Sequence, residues 1–141
     1  MPILDAQGAY DTAFPAGYAG MVATAVPTTT LTGVAEDASL GFGLAVGQGL
    51  SDRGVLAGDS DYRGVTVADR SRNGDAYDEG EAVAYLTKGE IFVVAASNVS
   101  ADDAVTYDAA GAVGAGLANT IPNARFKSSA TAGALVAVHL G

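Results

Sequence analysis

Short runs of alternating apolar and polar residues follow one another along the chain from residue 28 onward. Glycine and aspartate separate these runs every ~8–12 residues, a spacing typical of β-sandwiches and β-barrels. No segment carries a sustained apolar stripe of helical period with capping residues at its ends. The predicted strands are Thr28–Val34, Phe42–Gln48, Gly64–Ala68, Glu81–Thr87, Glu90–Ala95, Ala104–Asp108, Ala112–Leu117, Ala124–Ser128 and Ala134–Leu140. The pattern therefore predicts an all-β fold.

The strongest local signal lies at Glu81–Ala95, where two apolar runs flank Lys88-Gly89. A two-residue connection that contains glycine is typical of a tight β-hairpin turn, because glycine readily adopts a positive φ. We therefore predict that Glu81–Ala95 forms a hairpin.

The first 27 residues have a different character, with three prolines, no Lys or Arg, and only two acidic residues. Proline and glycine oppose a self-supporting helix here. The segment nevertheless carries four large apolar side chains, Tyr10, Phe14, Tyr18 and Met21, which gain free energy by leaving water. We predict an extended N-terminal arm over residues 1–27 that lies against its own domain or a partner, followed by a β-domain over residues 28–141.

Composition narrows the function classes. A chain of 141 residues fits one domain, and its net charge of −9 argues against nucleic acid as a partner. The chain has no cysteine, which excludes disulfides and thiolate chemistry. No uninterrupted apolar stretch is long enough for a membrane span, and the N-terminus lacks the basic and apolar regions of a signal peptide. We expect a soluble chain that is not exported by the usual route and has no membrane partner.

Charge is concentrated between Asp52 and Glu90, which hold nine of the acidic residues and five of the seven basic ones. Ser71–Gly80 is the longest polar loop within this stretch. The simpler interpretation is a solvated loop. The alternative is a polar rim that contacts a partner through Arg70 and Arg72.

Few residues in the sequence are candidates for catalysis or metal binding. Asp59–Arg70 begins like a calcium loop, but its fifth position is Arg63 and its twelfth is Arg70, where a bidentate carboxylate is needed. A turn before the next strand is the preferred interpretation. His139 is the only histidine and lies in an apolar strand, so a multi-histidine metal site is excluded and a core-edge position is expected. We predict no enzymatic activity, no cofactor, and no metal-dependent stability.

Several segments, taken in order, resemble the structural cement (decoration) proteins of tailed-phage capsids. The resemblance covers most of the chain. It rests on Phe14-Pro15-Ala16-Gly17-Tyr18-Ala19-Gly20-Met21-Val22-Ala23, Gly41-Phe42-Gly43-Leu44-Ala45-Val46, Gly64-Val65-Thr66-Val67, Ala84-Tyr85-Leu86-Thr87-Lys88-Gly89-Glu90-Ile91-Phe92-Val93, Asp103-Ala104-Val105-Thr106-Tyr107-Asp108, Asn119-Thr120-Ile121-Pro122-Asn123-Ala124-Arg125-Phe126 and Ala134-Leu135-Val136-Ala137-Val138-His139-Leu140. The loop Tyr77–Glu81 departs from the family pattern, which leaves its role open.

The resemblance implies a small antiparallel β-sandwich or jelly-roll that is not an enzyme. Such a protein binds the outer capsid surface and cements neighbouring major capsid subunits against internal pressure. The expected partners are the major capsid protein and a second copy of the chain in a homodimer. The expected location is the outer face of the virion, after assembly in the host cytoplasm. The arm side chains and Arg70 and Arg72 are the candidate capsid contacts.

Two other classes of function stay open from the residues alone. A glycan-binding or adhesin-like β-sandwich should present aromatic side chains on one sheet face, whereas Tyr62, Tyr77 and Tyr107 are scattered and tryptophan is absent. Glycan binding by the isolated domain would favour that class. A small acidic enzyme would reveal itself by a ligand-dependent shift in melting temperature.

Overall fold

The computed structural model describes residues 18–23, 27–69, 71, 74 and 76–141. Within these residues every regular element is a strand, which confirms the all-β class. The strands are β1 (Val22–Ala23), β2 (Thr29–Ala35), β3 (Ser39–Gly41), β4 (Ala45–Gln48), β5 (Gly54–Ala57), β6 (Tyr62–Thr66), β7 (Ala76–Asp78), β8 (Ala82–Val94), β9 (Ala104–Tyr107), β10 (Val113–Gly114), β11 (Asn119–Phe126) and β12 (Leu135–Leu140). The part of the chain that the structure describes contains no helix that could span a membrane.

The central element is β8, a single strand of 13 residues. The predicted hairpin at Glu81–Ala95 is therefore wrong. The two halves of β8 do not pair with each other, because each half has other partners. Ala82–Lys88 pairs with β2, and Gly89–Val94 pairs with β12, both antiparallel.

Lys88-Gly89 marks the change of partner in β8. The register with β2 shifts there, since Thr29 lies opposite Lys88 while Thr30 lies opposite Leu86. Gly89 has a φ of +122°, a value that residues with a side chain rarely adopt. This backbone conformation lets the strand bend next to the irregularity. Thr87, next to Lys88-Gly89, is therefore the extra residue of an irregularity within one strand, and no turn divides the segment into two strands.

The first half of β8 closes a barrel-like circuit. β8 pairs with β2, β2 with β5, β5 with β4, β4 with β6, and β6 again with β8. All of these pairings are antiparallel except that of β2 with β5. A circuit of this kind leaves none of its five strands with a wholly free edge, which limits unwanted strand pairing with other chains.

The second half of β8 belongs to a sheet with the order β1-β8-β12-β11-β9-β10. β12 supplies the most extensive pairing, with six residues in continuous register from Leu135 to Leu140. Its inward residues Val136, Val138 and Leu140 are buried, and the alternate residues face outward. β8 thus joins the barrel-like circuit to this outer sheet.

Two apolar clusters form the core. The larger one lies beneath the outer sheet, and its bulkiest buried side chains include Tyr107, Phe126 and Ile91. The smaller one draws on β2, β4, β5 and β8 and is completed by Leu40 of β3 and Tyr77 of β7. Small residues such as alanine, valine and glycine suit the short distances between these strands.

β7 lies within Ser71–Gly80, which the sequence predicts to be a polar loop. The prediction is wrong for residues 76–78, because the Tyr77 ring is buried in the smaller core. The ring meets Phe42 edge to face with centroids 5.3 Å apart, and the phenol donates a hydrogen bond to the Val67 carbonyl at 2.7 Å. One aromatic anchor is enough to turn part of a charged loop into a strand paired with β3.

Candidate functional site

Residues 18–23, the longest described part of the predicted arm, lie along β8 of the same chain. The Gly20 amide donates to the Phe92 carbonyl at 2.8 Å, and the Phe92 amide donates to the Met21 carbonyl at 2.9 Å. The Ala68 amide donates to the Gly20 carbonyl at 2.9 Å, which fixes the segment from its other side. The end of the arm is therefore added as an edge strand to its own domain.

Gly20 makes this close approach possible. Its φ is +81°, and a Cβ atom there would lie 2.7 Å from the Ala68 nitrogen and 2.8 Å from the Phe42 Cβ. Any larger residue would push the segment away from the domain. Glycine is therefore favoured at position 20 for two reasons: the positive φ of the backbone and the lack of room for a Cβ atom.

The structure places two of the four predicted arm anchors. Tyr18 is 38% exposed, and Met21 is partly buried beside β8. Tyr10 and Phe14 lie outside the described residues. Arg70 and Arg72 also lie outside them, so the predicted polar rim stays a prediction.

Asp59 begins the turn before β6, as the sequence predicts for the calcium-like segment. Its Oδ1 accepts a hydrogen bond from the Asp61 amide at 2.9 Å, and its carbonyl accepts one from the Tyr107 phenol at 2.7 Å. Arg63 donates instead to Gln48 Oε1. Within the described residues, no group of three or more histidine, aspartate or glutamate side chains is arranged to hold a metal ion.

Two tyrosines next to this turn have altered acidity. Burial raises the pKa of the Tyr62 phenol well above its ordinary value, and the nearby Tyr107 adds to the effect. Burial also raises the pKa of Tyr107, helped by the charges of Asp59 and Asp61. Both phenols are therefore neutral at physiological pH. The Tyr62 hydroxyl is buried without a hydrogen-bond partner, whereas that of Tyr107 is satisfied.

His139 lies on the outward side of β12, between Glu90 of β8 and Arg125 of β11. Its Nδ1 is 3.9 Å from Glu90 Oε1, and Lys127 Nζ is 3.6 Å from the same oxygen. The half-exposed histidine is thus part of a small surface charge cluster at the edge of the core. This arrangement agrees with the predicted core-edge position.

The same outward side carries an apolar strip formed by two cross-strand pairs, Leu135 with Val94 and Ala137 with Phe92. Val94 is 47% exposed and the other three are partly exposed. Directly opposed residues on neighbouring strands share one face of a sheet. The strip is therefore a continuous apolar surface that ends at the Glu90–His139 cluster.

Residues 49–54 form a loop held by one carboxylate. Glu36 accepts hydrogen bonds from the Leu50 amide at 2.8 Å, the Ser51 amide at 2.9 Å and the Ser51 hydroxyl at 2.7 Å. These bonds from Ser51 and Leu50 lower the pKa of Glu36. A Cβ atom at Gly49 or Gly54 would overlap the Glu36 carboxylate. Glycine at these two positions therefore leaves room for the carboxylate.

This loop forms one wall of a groove of about 430 Å³ that contains two arginines, Arg53 and Arg63. Tyr85 and residues 30–32 of β2 also line it. Sequence analysis missed this site, because the two arginines are ten residues apart and Arg63 was considered only as a defect in a calcium loop. Arg63 joins the same groove through the position of β6, which is set by its pairing with β4 and β8, and the sequence carries no separate signal for that pairing.

These features define a class of protein: a small all-β domain whose described residues form an apolar strip, a Glu90–His139 charge cluster and a groove with two arginines. Comparisons agree with this class. Residues 6–141 match the family described as structural cement protein (E217 gp24/Pam3 gp6). Because the match covers nearly the whole chain, the protein belongs to this family of structural cement proteins, which supports a structural role in the virion.

Solved structures show the same fold at low sequence identity. A chain from the capsid of Myoviridae phage XM1 superposes with a TM-score of 0.72 at 18% identity, covering 89% of this chain and 90% of that one. The head fiber gp8.5 N base of bacteriophage phi29 gives a TM-score of 0.57 at 15% identity, covering 82% and 95%. No curated protein matches the sequence.

Proposed function

We propose that this protein binds the outer face of a phage capsid and cements neighbouring major capsid subunits against internal pressure. The observation that carries the proposal is the family match over residues 6–141. The fold supports it, because a closed circuit joined to an outer sheet by one shared strand forms a rigid body with broad surfaces. Each contact can be weak, since many copies on one shell act together.

The test uses capsids of the encoding phage that lack this protein. Purified protein is added, occupancy is measured by cryo-electron microscopy, and shell stability is measured by calorimetry. We expect saturable binding on the outer surface at positions between capsid subunits, together with a higher shell melting temperature. Binding to the capsid without a rise in shell melting temperature would show that the protein decorates the capsid but does not cement it. Absence of binding to the capsid would refute the proposal.

The N-terminal arm is proposed as a contact element, with Tyr10 and Phe14 as its anchors. Since residues 18–23 are bonded to β8, the informative truncation removes residues 2–17 and keeps Tyr18 onward. We expect this variant to stay folded and to occupy shells less completely. A second truncation that removes residues 2–23 provides the comparison, because it also removes β1. Unchanged occupancy after the shorter deletion would exclude residues 2–17 as the contact.

We further propose that the protein acts as a homodimer, since a bridge between capsomers needs two attachment points and a two-fold dimer supplies both. Sedimentation equilibrium on the free protein and the copy arrangement on decorated shells measure this directly. Isolated single copies on the shell would contradict it.

A further inference from the structure

The groove between β2, β5 and β6 presents two exposed guanidinium groups. Arg53 and Arg63 both line it, and Leu31, which is 49% exposed, lies on the same wall as Thr30 and Thr32. Arg53 reaches only the Thr32 carbonyl, at 3.5 Å. Arg63 donates to the side chain of Gln48. The groove therefore combines cationic donors with an apolar contact.

Within the described residues, neither arginine forms an ion pair with a carboxylate. This is unusual for a chain with 16 acidic and seven basic residues. Asp52 lines the same groove without forming an ion pair with either guanidinium. The positive charge of the groove is thus left available in a protein whose net charge is −9.

Arg63 is also held in place before any partner arrives. Its acceptor, Gln48, donates through Nε2 to the Ser51 carbonyl at 2.6 Å. Ser51 is in turn fixed by the Glu36 carboxylate. This series of hydrogen bonds leads from Glu36 to the guanidinium, and a preorganised donor loses less freedom when a ligand binds.

We infer that this groove binds a carboxylate-bearing segment of a neighbouring protein in the shell. The inference rests on the proposed capsid-binding function and names one contact for it. A glutamate or aspartate of the partner would accept hydrogen bonds from Arg53 and Arg63, and an adjacent apolar side chain would cover Leu31. Guanidinium groups suit carboxylates because their donors match the two oxygens in a planar fork.

Two measurements test the groove. The first is an NMR titration of the full-length protein with the capped peptide acetyl-Glu-Leu-Glu-amide, observed at the Nε–Hε groups of Arg53 and Arg63. The peptide acetyl-Gln-Leu-Gln-amide is the uncharged control. We expect shifts of both arginines with the acidic peptide only, and weaker shifts at high salt, because screening reduces interactions between exposed charges.

The second measurement is binding to undecorated capsids. The variant R53Q/R63Q is compared with R125Q/K127Q, which removes the same charge from the outer sheet. We expect affinity to fall by at least ~10-fold for the groove variant, since two charge-assisted hydrogen-bond sets are lost, and to change less than ~3-fold for the control. Melting temperatures of both variants are measured to confirm that they are folded.

Equal affinity for wild-type protein and R53Q/R63Q would overturn the inference, as would equal losses in the groove variant and the control. If wild-type protein fails to bind capsids, the proposed function is wrong, and the peptide titration alone then decides whether the groove accepts carboxylates. Absence of peptide-induced shifts at both arginines would exclude carboxylate binding there.

Discussion

Replacing Gly20 with alanine should detach residues 18–23 from β8 while leaving the rest of the domain folded. The alanine Cβ would lie 2.7 Å from the Ala68 nitrogen, and backbone atoms cannot move aside easily. A φ of +81° adds a penalty for any residue with a side chain. The lower-energy outcome is release of the segment, because only a short two-residue strand is lost.

The magnitude follows from the bonds that release would break. Three backbone hydrogen bonds link Gly20 and Met21 to Phe92 and Ala68. At ~0.5–1.5 kcal/mol each, the loss of these three bonds, apart from the β1–β8 pairing itself, lowers the free energy of unfolding by about 1.5–4.5 kcal/mol. For a domain of this size that corresponds to a fall of about 6–15 °C in melting temperature.

The matched control is Gly116→Ala. Gly116 has a similar φ of +73°, but a Cβ atom there meets nothing within 4 Å. Its cost is therefore only the conformational penalty, about 1 kcal/mol. The comparison separates the steric contact at Gly20 from the general cost of a positive φ.

Calorimetry gives the stability, and amide hydrogen exchange gives the location. In Gly20→Ala, the Phe92 and Ala68 amides should exchange faster, while amides of β12 keep their wild-type protection relative to global unfolding. If Gly20→Ala loses no more stability than Gly116→Ala, or if the Phe92 amide stays protected, the described docking of residues 18–23 is incorrect.

Two further predictions concern the two tyrosines next to the Asp59 turn and the Glu36 carboxylate. Tyr107→Phe removes the hydrogen bond to the Asp59 carbonyl and should lower the free energy of unfolding by about 1 kcal/mol. Tyr62→Phe removes an unpartnered hydroxyl and should leave the free energy of unfolding unchanged or raise it. Urea denaturation midpoints that rank the two variants in the opposite order would contradict this prediction. Glu36 has a lowered pKa in the folded state, so its stabilising effect is present above the unfolded value of 4.5 and is lost as pH falls through the folded value. Melting temperatures of wild type and Glu36→Gln should therefore differ at pH 6 and converge at lower pH, and a constant difference would exclude this origin.

The sequence predicts strands well where apolar residues alternate over several positions. β2 and β12 lie within one residue of their predicted bounds, because one face of each packs on the core or on a neighbour. Sequence analysis does not resolve β7, since its only core residue is Tyr77 within a charged segment. It also misinterprets Lys88-Gly89, because local turn preference says nothing about partners that come from distant strands.

In the candidate site, too, local sequence features could be predicted, whereas contacts between distant parts of the chain could not. The predicted arm rests on aromatic side chains in a proline- and glycine-containing segment, and it stays a prediction because residues 1–17 lie outside the described residues. Its attachment through Gly20 to β8 could not be predicted, since it depends on contacts with residues about 50 and 70 positions away. The groove with Arg53 and Arg63 was missed for the same reason: its lining residues come together only when the circuit of β8, β2, β5, β4 and β6 is closed.

The position of β8 in the chain has a consequence for synthesis. Its second half cannot complete its pairing until β12 has been made, and Leu140 lies 46 residues beyond Val94. At ~5–20 residues per second this leaves roughly 2–9 seconds in which the apolar side chains of Ile91 and Val93 lack their β12 neighbours. During this interval the nascent chain presents an unpaired strand edge. Aggregation of newly made chains is therefore a competing outcome, and slower translation between residues 95 and 135 should increase it.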